Sequence, residues 1–270
     1  MVYLTSRSNA KASKFNGYLL AGTVTALGLS SVLFLAMPEI DVKFSRLFYH
    51  GRSFPMAHFS SLQLLRALND WIGGIILLMS LVLLSVEKLR RRLRVSKSDA
   101  LVPILTYGIG TWAVVNATLK ETFGRARPRS IEEFGGTSVF TKVWEMSEAC
   151  ASNCSFTSGE AAGAAAMLSV MFILPKTTQA IRVVVGVSIS ILAAAISLNR
   201  VAFGAHFLSD IVLSALIVVS IMLLSKLLLD RVAETAQVIA PNRLSWQHAS
   251  NDGTVRGRRK LRAYPSFLRS

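Results

Sequence analysis

Residues 207–229 read FLSDIVLSALIVVSIMLLSKLLL, a stretch whose only charges are Asp210 near one end and Lys226 near the other. A helix of that length crosses ~30 Å of hydrocarbon, and nothing in its composition suits a soluble surface. Comparable runs occupy residues 17–38, 71–86, 100–119, 156–174 and 181–198, the second borrowing turns from 62–70. With 52% hydrophobic residues, 17% charged residues and a mean hydropathy of +0.47, the chain is too apolar for a soluble domain. The expected fold is all-α: a polytopic membrane bundle of about six transmembrane helices. Residues 17–229 form the membrane domain, 1–16 an N-terminal arm and 230–270 a basic tail. No small-residue cleavage site follows the first run, which predicts a retained span rather than a secretory signal.

Lysine and arginine set the orientation, because short loops rich in them stay cytoplasmic. They cluster in the arm (Arg7, Lys11, Lys14), in the loop after the second span (Lys88, Arg90, Arg91, Arg92, Arg94, Lys97) and in the tail (Arg256, Arg258, Arg259, Lys260, Arg262). An even number of spans with both termini inside makes all three clusters cytoplasmic. Residues 39–70, 120–155 and 199–205 then lie outside, on the periplasmic face if this is a bacterial inner membrane. The formal charge of +15 is the expected product of this bias and of attraction to anionic lipid heads. No nucleic-acid-binding motif accompanies it, so no nucleic-acid partner is expected. Oligomeric state has no signal in the sequence. Cys150 and Cys154, the only cysteines, fall in an outside loop, where a disulfide is favoured over a metal site that has no histidine nearby.

Three outside segments hold the chemically capable residues. KETFGRARP supplies Lys120 and Arg127, SFTSGEAAGAAA supplies Ser158, Gly159 and Glu160, and NRVAFGAHFLSD supplies Arg200, His206 and Asp210. Lysine offers a point charge and arginine a planar fork for phosphate oxygens. A helix starting at Ser158-Gly159 presents unpaired N–H groups and lets a ligand approach closely. His206 and Asp210 are four apart, as on one helix face, so the carboxylate is expected to hold one imidazole nitrogen while the other attacks phosphorus. Charges this near a membrane interior are costly unless used. The small-residue run 161–166 suits close helix packing.

The pattern K-x6-R-P at Lys120, S-G at Ser158 and R-x5-H-x3-D at Arg200 resembles the three-part signature of the type 2 phosphatidic acid phosphatase superfamily, over roughly residues 17–229. The resemblance implies a metal-independent, cofactor-free lipid phosphatase. It implies that Lys120, Arg127 and Arg200 hold phosphate and that His206 is the nucleophile. Bacterial envelope-lipid members make lipid A, at its 1- or 4′-phosphate, the first expected substrate, followed by undecaprenyl diphosphate and phosphatidylglycerophosphate. The sequence departs from the family in having Thr157 and Glu160 where the second motif usually has proline and histidine, and Asn199 where the third has serine. That histidine is the family's general acid. Glu160 either takes its place or closes a capping box with Thr157. If it is no acid, leaving groups that are stable anions are favoured. A transporter would also gather cations, but no inverted repeat is visible and the polar residues lie at one face rather than the midplane. A haloperoxidase relative fits the anion pocket but not the membrane architecture.

Overall fold

The structure is a computed structural model that describes residues 2–175 and 177–251, with side chains described for 12–175 and 177–236. The basic cluster of the tail lies outside the described residues, and the side chains of the arm's cations Arg7 and Lys11 are likewise undescribed. Helix α1 (Val2–Ala36) contains the first span and is followed by a short amphipathic helix α2 (Glu39–Arg46). Then come α3 (Ser60–Ser85), α4 (Glu87–Arg92) and α5 (Lys97–Leu105), the last started by a Ser96–Asp99 capping box. It runs on through a π-helical stretch, Thr106–Leu119, to a last turn at Lys120–Thr122. A loop of 36 residues, 123–158, leads to α6 (Gly159–Ala166), which continues as short turns to Ile173. Helices α7 (Gln179–Ala202) and α8 (Leu208–Asn251) complete the order.

Five of these segments are long and apolar enough to cross a membrane: Ala12–Ala36, Ser60–Ser85, Lys97–Thr122, Gln179–Ala202 and Leu208–Ala236. The expected span at 156–174 is instead the shorter apolar segment Gly159–Ile173. Shortness follows from its place, since every residue of Ala161–Ala166 is buried within the bundle and none needs to meet lipid. Alanine and glycine let neighbouring backbones come close there. The buried positions of α3, Asn69, Gly73, Ile76, Ser80 and Leu83, recur at steps of four and three and form one stripe along the helix. Part of that stripe packs on α6, where a Cβ at Gly163 would stand 3.1 Å from the Asn69 amide nitrogen. On the opposite flanks Tyr18, Leu29, Trp71, Leu78, Val184 and Ile191 are exposed, as lipid-facing side chains are.

Aromatic side chains hold the 123–158 loop together and fasten it to the 47–59 connection. Phe123, Trp144 and Phe156 meet edge to face with centroids 4.9–5.7 Å apart, and Tyr49, Phe54 and Phe134 form a second set at 5.1–5.4 Å. Cys150 and Cys154 form a disulfide in this loop, their Cα atoms 5.6 Å apart. The turn between α7 and α8 depends on Gly204, whose φ of +58° is left-handed and whose missing side chain admits the Phe54 ring.

Candidate active site

The expected site residues come from three chain segments, and the fold brings most of them to one end of the bundle. Lys120 ends the π-helical extension of α5, Glu160 opens α6, Arg200 lies in the last turn of α7, and His206 sits in the turn before α8. A π-helix is rare and frequently lies at a functional site. Here the Asn116 and Thr118 side chains also donate to carbonyls five residues back, Thr111 O at 2.8 Å and Ala113 O at 2.9 Å. Lys120, Arg127, Gly159, Glu160 and Arg200 all line a single cavity of about 1140 Å³. Gly159 is required by closeness, because a Cβ there would overlap the Asn116 side-chain amide. Arg127 is steadied by donating to the Asn153 carbonyl at 2.7 Å.

Glu160 is the centre of this cluster. Its Oε1 pairs with Arg200 at 3.2 Å and with Arg66 at 3.4 Å, and its Oε2 lies 3.4 Å from His206 Nε2. The last contact does not have hydrogen-bond geometry, so Nε2 has no bonded partner among the described residues. The capping-box alternative is not what forms. Ser158 is the N-cap of α6, accepting from Ala161 N at 3.2 Å, and the Glu160 side chain points into the cavity. Ser158 is consequently absent from the cavity wall: its hydroxyl caps the helix and its carbonyl accepts from Ser214 at 2.6 Å.

His206 is fully buried, and its Nδ1 lies 2.7 Å from the Ser155 carbonyl. A carbonyl can only accept, so Nδ1 carries a proton there, and Nε2 is the nitrogen turned toward Glu160. Burial holds this imidazole below its ordinary pKa, against the opposite pull of Glu160 and Asp210. The expected direct bond from Asp210 to His206 is replaced by this one. Asp210 Oδ2 is 3.9 Å from Nδ1 because the helix begins only at Leu208, leaving His206 in the preceding turn rather than on a shared helical face. Oδ2 instead accepts from Phe207 N at 2.8 Å and from Ser155 Oγ at 2.5 Å. Asp210 therefore stands behind the Ser155 segment that grips the imidazole.

Several residues in and behind this site have no counterpart in the sequence expectations. Arg66 and Arg129 line the same cavity, and Arg125 lies beneath it, 1% exposed. Arg125 Nη1 donates to Asp210 Oδ1 at 2.7 Å and Nη2 to Asp41 Oδ2 at 2.9 Å, with its guanidinium 4.3 Å from the Phe207 ring centroid. A charge inside an apolar helix could have signalled Arg66. Arg125 stood unremarked within KETFGRARP, and Asp41 had no signal at all.

A protein of Rhizobium leguminosarum named lipid A 4′-phosphatase is 33% identical over 211 residues, covering 71% of this chain and 89% of its own. The chain belongs to the PAP2 superfamily. That superfamily's model matches residues 101–233, which include all three motif segments. A Francisella tularensis subsp. novicida protein, also named lipid A 4′-phosphatase, is 28% identical over 69% of this chain and 85% of its own. Among solved structures, a transmembrane PAP2-type phosphatidylglycerolphosphate phosphatase from Bacillus subtilis superposes with a TM-score of 0.54 at 16% identity, over 77% of this chain and 94% of that one. At that identity the likeness is one of fold.

Proposed function

We propose that this PAP2 member is a membrane phosphatase that removes the 4′-phosphate of lipid A, working from the periplasmic face through a phosphohistidine on His206. The observation that carries the proposal is the contact of His206 Nδ1 with the Ser155 carbonyl. With Nδ1 held at the Ser155 carbonyl, Nε2 is turned toward Glu160 Oε2, 3.4 Å away, and Glu160 lines the cavity. Lys120, Arg127 and Arg200 neutralise the phosphoryl oxygens while Nε2 forms a bond to phosphorus and the ester P–O bond breaks. The leaving oxygen takes a proton, which Glu160 supplies only after it has itself been protonated, because against burial the His206, Arg200 and Lys120 side chains hold its carboxyl well below the usual range; water then attacks phosphorus, the N–P bond breaks, and phosphate departs. Glu160 stands between the buried imidazole and the cavity, so its carboxylate must yield its place to the incoming phosphoryl group. The lipid A names of relatives across most of the chain favour that substrate over undecaprenyl diphosphate and phosphatidylglycerophosphate.

Phosphate release by the purified protein, without added metal, tests this across lipid A, undecaprenyl diphosphate, phosphatidylglycerophosphate and phosphatidate. Release is expected from lipid A with the wild type and from no lipid with His206→Ala. Equal release by the two proteins would remove the nucleophile assignment, and a preference for another lipid would remove the substrate assignment.

A further inference from the structure

Behind His206 lies a buried ionic chain with an odd number of charges. Asp41 comes from α2, Arg125 from the loop after α5, and Asp210 from α8, and each is at most 1% exposed. One guanidinium bridges two carboxylates, at 2.9 Å to Asp41 and 2.7 Å to Asp210. Asp41 also accepts from Ser209 N at 2.8 Å and Ser209 Oγ at 2.5 Å, and Arg125 Nη1 donates to that same hydroxyl oxygen at 2.9 Å, fixing its proton toward Asp41. Every contact to Asp41 is from a donor, the pattern of an ionised carboxylate. Burial raises the Asp41 carboxyl from its ordinary value, and Arg125 pulls the other way. With donors on both oxygens, the carboxylate is the form these contacts support.

Two carboxylates and one guanidinium leave a net charge of −1 among side chains at most 1% exposed. A lone Arg125–Asp210 pair would be neutral. The excess charge therefore exists only because Asp41 shares the guanidinium. Buried unbalanced charge is costly, and a fold that only needed to tie α2 to α8 would be served as well by a neutral pair. The end of the chain nearest the site is Asp210, 3.9 Å from His206 Nδ1 and bonded to the hydroxyl of Ser155, whose carbonyl holds that nitrogen. An imidazole that takes a phosphoryl group at Nε2 becomes cationic at the moment of attack.

We propose that Asp41 is a positioning residue for catalysis: by drawing off half of the Arg125 guanidinium it leaves Asp210 the net negative charge that stabilises the cationic His206 ring. The inference rests on His206 being the nucleophile. The other charged groups facing the ring are Glu160 from α6 and Arg200 from α7, and both are left untouched by the variants below.

The test is a charge cycle read by the pH dependence of kcat/KM for phosphate release by the purified full chain in detergent. The chain's charge is −1 in the wild type, 0 in Asp41→Asn, −2 in Arg125→Gln and −1 again in the double variant. A less negative surround disfavours the protonated imidazole, so the acid limb of Asp41→Asn is expected about half a unit below the wild type, with kcat lowered about threefold to tenfold. Arg125→Gln moves its limb upward, and the double variant returns to the wild-type position although it has lost both side chains' bonds. If Asp41 serves only packing, the double variant is the worst of the set and the limbs coincide, which overturns the proposal. Where Asp41→Asn does not accumulate, the Arg125→Gln limb lying above that of the double variant carries the same decision. A wild type that releases no phosphate, or a His206→Ala variant as active as the wild type, refutes the nucleophile reading instead.

Discussion

Glu160 differs from the histidine that the superfamily pattern leads one to expect, and its surroundings say what that difference does. Its carboxylate pairs with Arg200 and Arg66 and stands against His206 Nε2, so it competes with an anionic phosphoryl group for the same cations. Glu160→Gln keeps the volume and removes the charge. If Glu160 protonates the leaving group, kcat for the lipid falls by about a hundredfold or more, while an aryl phosphate with a good leaving group loses less than about tenfold. Equal losses on both substrates would make it an electrostatic residue only. For His206 the sign of the pH effect follows from burial. The folded pKa is lowered, so below the ordinary value of about 6.5 the unfolded chain binds a proton that the buried ring refuses. Stability from this group is complete above that pH and is lost as the pH falls toward the folded pKa. His206→Gln removes that loss, so its thermal midpoint should fall less than the wild type's between pH 7 and pH 5.5. The motif residues were legible because each cation, glycine and histidine has a chemistry that spacing alone makes useful. Asp210 was legible as a member but not in its contact, since four-residue spacing predicts a shared face only if both residues are helical.

At the scale of elements, the site depends on how sharply α7 gives way to α8. Residues 203–207 must turn the chain and seat His206 against Ser155, and Gly204 supplies both the left-handed φ and the space for Phe54. An alanine there is strained by its backbone and collides with the ring. Gly204→Ala should cost about 2–3 kcal/mol and lower the thermal midpoint by several degrees. In Gly28→Ala, with nothing within 4 Å of the new Cβ, the change should stay within about half a kcal/mol. Unequal midpoints for the two variants in detergent are the check, and equal ones would mean that the turn relaxes without cost. Long spans were readable from apolar length, because a bilayer leaves few other solutions for such segments. The apolar helix α6 was legible but its shortness was not, because alanine-rich sequence looks alike whether it faces lipid or helices. The Asp41–Arg125 pairing was invisible for a different reason: its partners are 84 residues apart, and only the folded loop brings them together.

For the molecule as a whole, the two ends of the bundle carry different chemistry. At one end lie the cavity, the aromatic loop with its disulfide, and the cations that face a phosphate. At the other lie α4 with Arg90, Arg91 and Arg92, the start of α5, and Lys226 bonded to Asp99 and Asp230 at 2.6 Å each. The proposed orientation follows the positive-inside rule, with the α4 end in the cytoplasm and the cavity outside. Single cysteines introduced beside the native disulfide test this directly. Ser53 is exposed on the cavity side in the 47–59 connection, and Thr177 is exposed in the connection before α7. Ser53→Cys should react with a membrane-impermeant maleimide in intact spheroplasts, and Thr177→Cys only after lysis. The reverse pattern would turn the site toward the cytoplasm. It would then meet lipid phosphate before export rather than after, and Arg90, Arg91 and Arg92 of α4 would have to be held on the outer side against the charge bias.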